Sequence, residues 1–286
     1  MRQSPSDCSH ARASCLFRSA ARLVFFILLL NVALTAFAQQ SELTPGQREI
    51  ERERTRLSSS ETEERRDAVM RLGWMKRPDS SRAAAAALKD PSEIVRATAA
   101  TAILSLPSDE AAALLLPLLQ DKKEFVRQEA AYALGQTRSR TAVAGLIAAL
   151  ETDKQPSVRG AAAVALGQIG DEAAAAHLSR SLDPAFTVSD TKRKKKEDNE
   201  FVQRAAARSL GQIKSRIAIP ALISIMTDKR ASDDVRRESA RALGLIGDTS
   251  AVPALRSMLT ASDPYLSRLA YEALLKISPA DAARPS

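Results

Sequence analysis

A block of about 32 residues recurs along this chain, and its best-kept stretch reads V-R-x-x-A-A-x-A-L-G-x-I. It runs from Val126 to Gly135, Val158 to Gly167 and Val235 to Gly244, with looser copies starting at Val95, Val202 and Leu266. The six anchors lie 31, 32, 44, 33 and 31 residues apart. One supersecondary unit of this size cannot bury its apolar face alone. Copies at a fixed period therefore stack in file, each sheltering its neighbours. Most globular topologies are excluded on that ground before composition is considered.

Within each copy the core positions fall at the anchor and at +4, +8 and +11, as in Val235, Ser239, Leu243 and Ile246. Spacings of four, four and three keep one face of an α-helix pointed inward. The +4 residue is always small (Ala99, Ala130, Ala162, Ala206, Ser239, Ala270), which admits a close neighbour. Gly135, Gly167, Gly211 and Gly244 stand at +9 and are expected to end or loosen the last turn. A second helix precedes each anchor, for example Thr141 to Leu150 and Ser250 to Leu259, with Pro220 and Pro253 near its start. Asp171 and Asp248 are placed to cap these first helices. The unit is helix A, turn, helix B. Few aromatics, glycines and prolines agree with an all-α chain.

This pattern resembles the HEAT-like repeats, in particular the short, phycobilisome-lyase-type, armadillo-like form. The resemblance implies a right-handed α-solenoid of about six helix pairs with an N-terminal cap. It also implies a ladder between turn aspartates (Asp90, Asp121, Asp153) and helix-B arginines (Arg96, Arg127, Arg159, Arg236). Gln203 and Ser267 depart from the arginine, so those two joints are expected to lack a rung.

The ends carry other signals. Residues 1–38 join a basic start (Arg2, Arg12, Arg18, Arg22) to an apolar run from Leu23, closing on Ala36-Phe37-Ala38. That is the layout of a cleaved export signal, with an uncleaved anchor as the competing reading. The destination would be periplasmic or extracellular. Both cysteines, Cys8 and Cys15, fall inside this leader, so the remainder has no thiol chemistry. Without the leader's four arginines and one aspartate the net charge drops from +8 to +5. That is too mild for a dedicated nucleic-acid binder. Residues 39–59 read as a polar linker or loose helix, 60–278 as the solenoid and 279–286 as a tail. Ser60 to Glu63 has the form of a capping box, and Trp74, the single tryptophan, is expected to shield the first repeat's core.

The spacing of 44 hides an insertion at residues 185–200, where Lys192-Arg-Lys-Lys-Lys196 precedes Glu197-Asp-Asn-Glu200. Its two readings are a solvated loop and a flap whose cations, centred on Lys194, touch an anionic partner.

Chemistry is sparse. His177 is the only histidine after the leader and reads as structural. There is no H-E-x-x-H, C-x-x-C, G-x-S-x-G or phosphate-binding loop. HEAT-like hydroxylases depend on paired His-Glu motifs, which this chain lacks, so no catalytic residue, metal ligand or cofactor is expected. The sharper signal lies at +2 and +6 of helix B, which should form its exposed stripe. There Gln128 and Tyr132 give way to Arg204, Arg208, Arg237, Arg241 and Arg268. A column of guanidinium groups favours carboxylates and phosphates. It points to a scaffold whose concave helix-B surface holds an acidic protein, with anionic lipid or glycan as alternatives. The competing reading is internal salt bridging to Glu238 and Glu272. The runner-up function is an enzyme-accessory or lyase-like protein holding a small ligand in the concavity, with Tyr132 and Tyr271 as its aromatic candidates.

Overall fold

The computed structural model describes residues 43–183 and 195–282, with side chains in the second stretch from Glu200 onward. The leader, Lys194 and the last four residues lie outside the described part. The described residues hold fourteen α-helices: α1 (Pro45–Arg56), α2 (Thr62–Trp74), α3 (Pro78–Ala84), α4 (Glu93–Ala102), α5 (Ser108–Leu115), α6 (Glu124–Thr137), α7 (Val143–Thr152), α8 (Pro156–Ile169), α9 (Ala175–Arg180), α10 (Lys195–Ile213), α11 (Ile219–Thr227), α12 (Asp233–Ile246), α13 (Val252–Ser257) and α14 (Pro264–Ile277). Two compact units divide at Arg52/Glu53, inside α1. Of the first unit, residues 43–52 are described and include the opening turns of α1.

In the second unit the B helices stack in sequence: α2 on α4, α4 on α6, α6 on α8, α8 on α10, α10 on α12 and α12 on α14. Each A helix packs on its own B helix, as α7 does on α8 and α11 on α12. The result is an α-solenoid, as the period requires. Its core is the face read from spacing. Val95, Val126, Val158, Val235 and Leu266 are fully buried, as are all six +4 residues and Ile103, Leu134, Leu166, Leu210, Leu243 and Leu274 at +8.

A seventh copy is present. α2 carries Arg65, Ala68, Leu72 and Gly73 in phase with an anchor at Glu64, and Ala68 and Leu72 are fully buried. The polar anchor is what hides this copy from a search for apolar anchors. The expected capping box fails here, because Glu61 is the N-cap and makes no side-chain cap bond. Ser59 serves the turn instead, accepting from the Glu61 amide and donating to Glu64.

The +9 glycines do something other than expected. Gly135, Gly167, Gly211 and Gly244 lie within their helices, and the positive-φ glycines are Gly170 and Gly247. Each +9 glycine is a contact surface for the +7 residue of the next repeat. A Cβ on Gly244 would sit 2.8 Å from Ala273 Cβ, and one on Gly211 2.9 Å from Ala242 Cα. Missing side chains set the interhelical distance. Termination falls instead to the left-handed residues Arg138, Gly170, Lys214 and Gly247. Each is followed by Ser or Asp, and Ser139, Asp171 and Asp248 cap the next helix by accepting an amide hydrogen.

The charge ladder forms, with differences. Arg96 clamps Asp121 at 2.7 and 2.9 Å, Arg127 clamps Asp153 at 2.6 and 3.0 Å, and Arg65 adds a rung to Asp90 at 2.7 and 3.0 Å. Each arginine also donates from Nη1 to carbonyls at the turn of its own repeat, as Arg96 does to Asp90 and Pro91. One guanidinium thus satisfies orphan helix-end carbonyls and ties two repeats together. Gln203 and Ser267 keep only the carbonyl half of the task, bonding Leu182 O and Leu259 O. Arg236 does not make a rung. It turns inward to Met226 O and to Asp233, and Arg237 clamps Asp263 at 2.7 and 2.9 Å instead. The reason is register. Asp263 is the N-cap of α14, three residues before its anchor rather than five.

The insertion is shorter than read, since Lys195 to Glu200 open α10. Among the described residues no helix is long and apolar enough to cross a membrane.

Candidate binding surface

The stacked B helices present one face, and a simple register governs it. The +2 and +6 side chains of each B helix meet the −1 and +3 side chains of the next. Arg204 and Arg208 on α10 pair with Asp234 and Glu238 on α12, at 3.5 and 3.1 Å. Arg237 on α12 lies over the Tyr265 ring that precedes α14's anchor, 5.0 Å from its centroid. Phe201, before the Val202 anchor, presses on Gly160, where a Cβ would collide with the ring. Helical geometry explains the pairing, because +2/+6 and −1/+3 line opposite flanks of the exposed crest.

This register decides what the arginine column is. Arg237 is committed to the fold. Its hydrogen bonds to Asp263 raise its pKa above the ordinary guanidinium value against the opposing pull of burial. They hold Asp263 below the usual carboxylate range, and the Tyr265 and Leu266 amides act with them. Arg208 is engaged with Glu238, and Arg268 reaches Glu272 at 3.4 Å, so both acids named as internal partners are used. Arg268 also lies 6.0 Å from the Tyr265 ring. Arg241 differs. The register sets it opposite Leu269, and it has no ion-pair or hydrogen-bond partner among the described residues. Tyr132 is half-buried on α6, with α8 between it and the arginine-bearing helices. The +2 residues of the first half are no open stripe, since Ala97 and Gly160 are buried.

The opposite mismatch occurs near the other end. α2, α4 and α6 enclose a cleft of about 470 Å³ whose walls include Met70, Trp74, Ile94 and Phe125, with Thr101 and Glu129. Trp74 was expected to roof a core, yet it is 71% exposed. The core beneath it is already closed by Ala68, Val69 and Leu72, and α2 ends on the tryptophan itself. Glu129, half-buried, has no ion-pair or hydrogen-bond partner among the described residues, and burial raises its pKa. Sequence reasoning missed this cleft. Its signal was the −1 position, where Ile94 and Phe125 repeat a large apolar residue just outside the core face. His177, read as structural, ties neighbouring A helices through Glu151 at 2.7 Å.

Family models agree with this architecture. The model for HEAT repeats matches residues 54–135, 115–189 and 227–285. The chain belongs to the HEAT-repeat family. The model for the PBS lyase HEAT-like repeat matches residues 202–228, the copy with the insertion before it. Solved structures similar to this HEAT-repeat chain include an engineered protein, at 23% identity and TM-score 0.49, covering 80% of this chain and 68% of that one. The complex of CpcE and CpcF of phycocyanin lyase from Nostoc sp. is 24% identical, with TM-score 0.48, covering 83% and 89%. Human deoxyhypusine hydroxylase in complex with glycerol is 18% identical, with TM-score 0.39, covering 86% and 99%. No curated protein matches the chain.

Proposed function

We propose that this HEAT-repeat protein is an exported, non-catalytic scaffold that receives an acidic segment of another protein on the C-terminal half of its B-helix face. The observation that carries the reading is Arg241, an exposed guanidinium whose register partner is Leu269 rather than an acid. It stands one B helix beyond Arg208, which is exposed but paired with the buried Glu238, and one before Arg268, which is exposed and held in a surface ion pair. The surface pairs of Arg204 with Asp234 and Arg268 with Glu272 are worth about 0–1 kcal/mol, so an incoming carboxylate can displace those internal acids at little cost. Arg241 supplies the free donor, Arg204 and Arg268 supply exchangeable ones, Arg208 adds positive charge while it stays on Glu238, and Arg237 holds the helices in place. Lys194, outside the described residues, is a further candidate cation of the insertion. Export is supported by the basic, apolar, A-x-A leader.

The test is fluorescence anisotropy of a labelled glutamate-rich peptide titrated with the full chain at two salt concentrations. Binding should weaken with salt and vanish in the Arg208→Glu/Arg241→Glu double variant. An affinity unchanged by that double reversal would remove this surface from the function.

A further inference from the structure

The register that exposes Arg241 also exposes a vacancy for a cation. On α12, Glu238 stands at +3 and is met by Arg208 at +6 of the preceding B helix. On α6, Glu129 stands at the same +3 position, but the +6 residue facing it on α4 is Thr101. One step along, the pair Arg204–Asp234 is replaced by Ala97 and Phe125. The α4–α6 joint therefore keeps the acid of the charged joint and loses its guanidinium. What occupies the lost side chain's place is the cleft of about 470 Å³, open beside Trp74 and Phe125, 71% and 47% exposed.

We propose that this cleft receives an arginine side chain of a partner protein, its guanidinium on Glu129 and its stem between Trp74 and Phe125. The fit is threefold. A half-buried carboxylate without a donor is costly until a cation reaches it. Exposed aromatic faces attract a guanidinium and cover its apolar stem. The protein builds the equivalent pair itself at the Arg208–Glu238 joint, so the backbone spacing suits that span. The absence of a donor also explains the upward shift at Glu129, which arises from burial alone. The adjoining hollow, which shares Phe125, is lined by Glu93, Lys123 and Glu124; Lys123 pairs with Glu93 at 2.7 Å, and Glu124 is the further acid there. This pocket is separate from the arginine face and opposite to it in charge preference.

Trp74 is the single tryptophan and reports occupancy directly. The full chain is titrated with the peptide Gly-Leu-Arg-Leu-Gly and with its citrulline analogue, which keeps the shape and loses the charge. The arginine peptide should shift Trp74 emission and bind about tenfold more tightly than the analogue, equivalent to about 1.4 kcal/mol. Glu129→Gln should erase that difference. Thr101→Arg should place an internal guanidinium on Glu129 and abolish peptide binding, with the circular-dichroism spectrum unchanged. Equal affinity for the two peptides on the unmodified chain overturns the proposal without reliance on any variant. So does a response that survives Thr101→Arg, or no response up to about 10 mM, where weak single-side-chain recognition would show. A Trp74 signal that follows protein concentration and ignores peptide would assign the cleft to a second copy, and would equally overturn it.

Discussion

Replacing Arg96 by methionine should destabilise the solenoid far more than loss of one surface ion pair. Arg96 is 6% exposed and makes four hydrogen bonds: two to Asp121, at 2.7 and 2.9 Å, and two to the carbonyls of Asp90 and Pro91, at 2.7 and 3.0 Å. Methionine preserves the stem's packing and removes all four. Asp121 is left largely buried with the Lys123 amide, at 2.9 Å, as its one remaining hydrogen-bond donor and Lys122 as the nearby charge. Stranding one partner of a buried pair costs about 3–5 kcal/mol. The two carbonyls can recover water from the turn and add less. With a urea slope of about 2–3 kcal/mol per molar for a chain of this size, the midpoint should fall by about 1–2 M. Asp121→Asn should cost somewhat less, because an amide still accepts from Arg96. In the double variant the second substitution should cost about 1–3 kcal/mol less than it does alone, since the interaction is already gone. Urea unfolding followed by circular dichroism measures all four corners of the cycle. If Arg96→Met costs under about 1 kcal/mol, the rung behaves as a surface pair and the interlocking account fails. Additive single effects would fail it too.

Three further outcomes follow from the same geometry. Gly244→Ala should destabilise by about 1–3 kcal/mol in thermal unfolding, because the new methyl meets Ala273 Cβ at 2.8 Å and Cα at 3.0 Å across a packed helix pair. Lys214→Gly should stabilise by about 0.5–1 kcal/mol, since Lys214 ends α10 at φ +60 and pays for a side chain there. Acid should loosen the ladder. Burial, the largest single influence, favours the neutral form of Asp90 and Asp121, but the hydrogen bonds from Arg65 and Arg96, those from the Ser92 and Lys123 amides, and the nearby positive charges together outweigh it and hold both pKa values below the ordinary carboxylate range. A folded-state pKa below the unfolded one stabilises fully above the unfolded value, near about 3.9. Stability should therefore decline as pH falls below about 4 and through the depressed values, and Arg96→Met should flatten that decline. A pH profile of unfolding midpoints that is unchanged by Arg96→Met contradicts the assignment.

The fold was legible because each repeat states its inward face in three spacings, and Val126, Ala130 and Leu134 occupy the positions those spacings require. The local devices were legible where one residue acts within its own turn. Asp171 and Asp248 cap their helices as read. Errors arose where the meaning of a residue lies in the next repeat. Gly244 looks like a helix terminator from its place near the end of α12, yet Ala273 gives it its role. Arg236 has the sequence position of a rung and lacks the aspartate, because the turn before α14 places Asp263 two residues later. Trp74 looks like core from its size alone, and its exposure follows from where α2 stops.

The same reasoning changes how surface charge should be weighed. Read helix by helix, Arg204, Arg208, Arg237, Arg241 and Arg268 form one uniform column, and Glu129 is an unremarkable acid. Read across the joint, three of the five arginines meet an acid of the next repeat, and Arg268 pairs with Glu272 one turn along its own helix. Arg241 faces a leucine, and Glu129 faces a threonine where the parallel joint supplies arginine. A joint whose charges match spends its affinity inside the solenoid. A joint whose charges do not match has affinity left for a ligand, and its sign names the ligand's charge. The two mismatches stand at opposite ends of the B-helix face and have opposite signs. A single partner bearing a basic segment and an acidic one could meet both, and its orientation along the stack would then be fixed by charge alone.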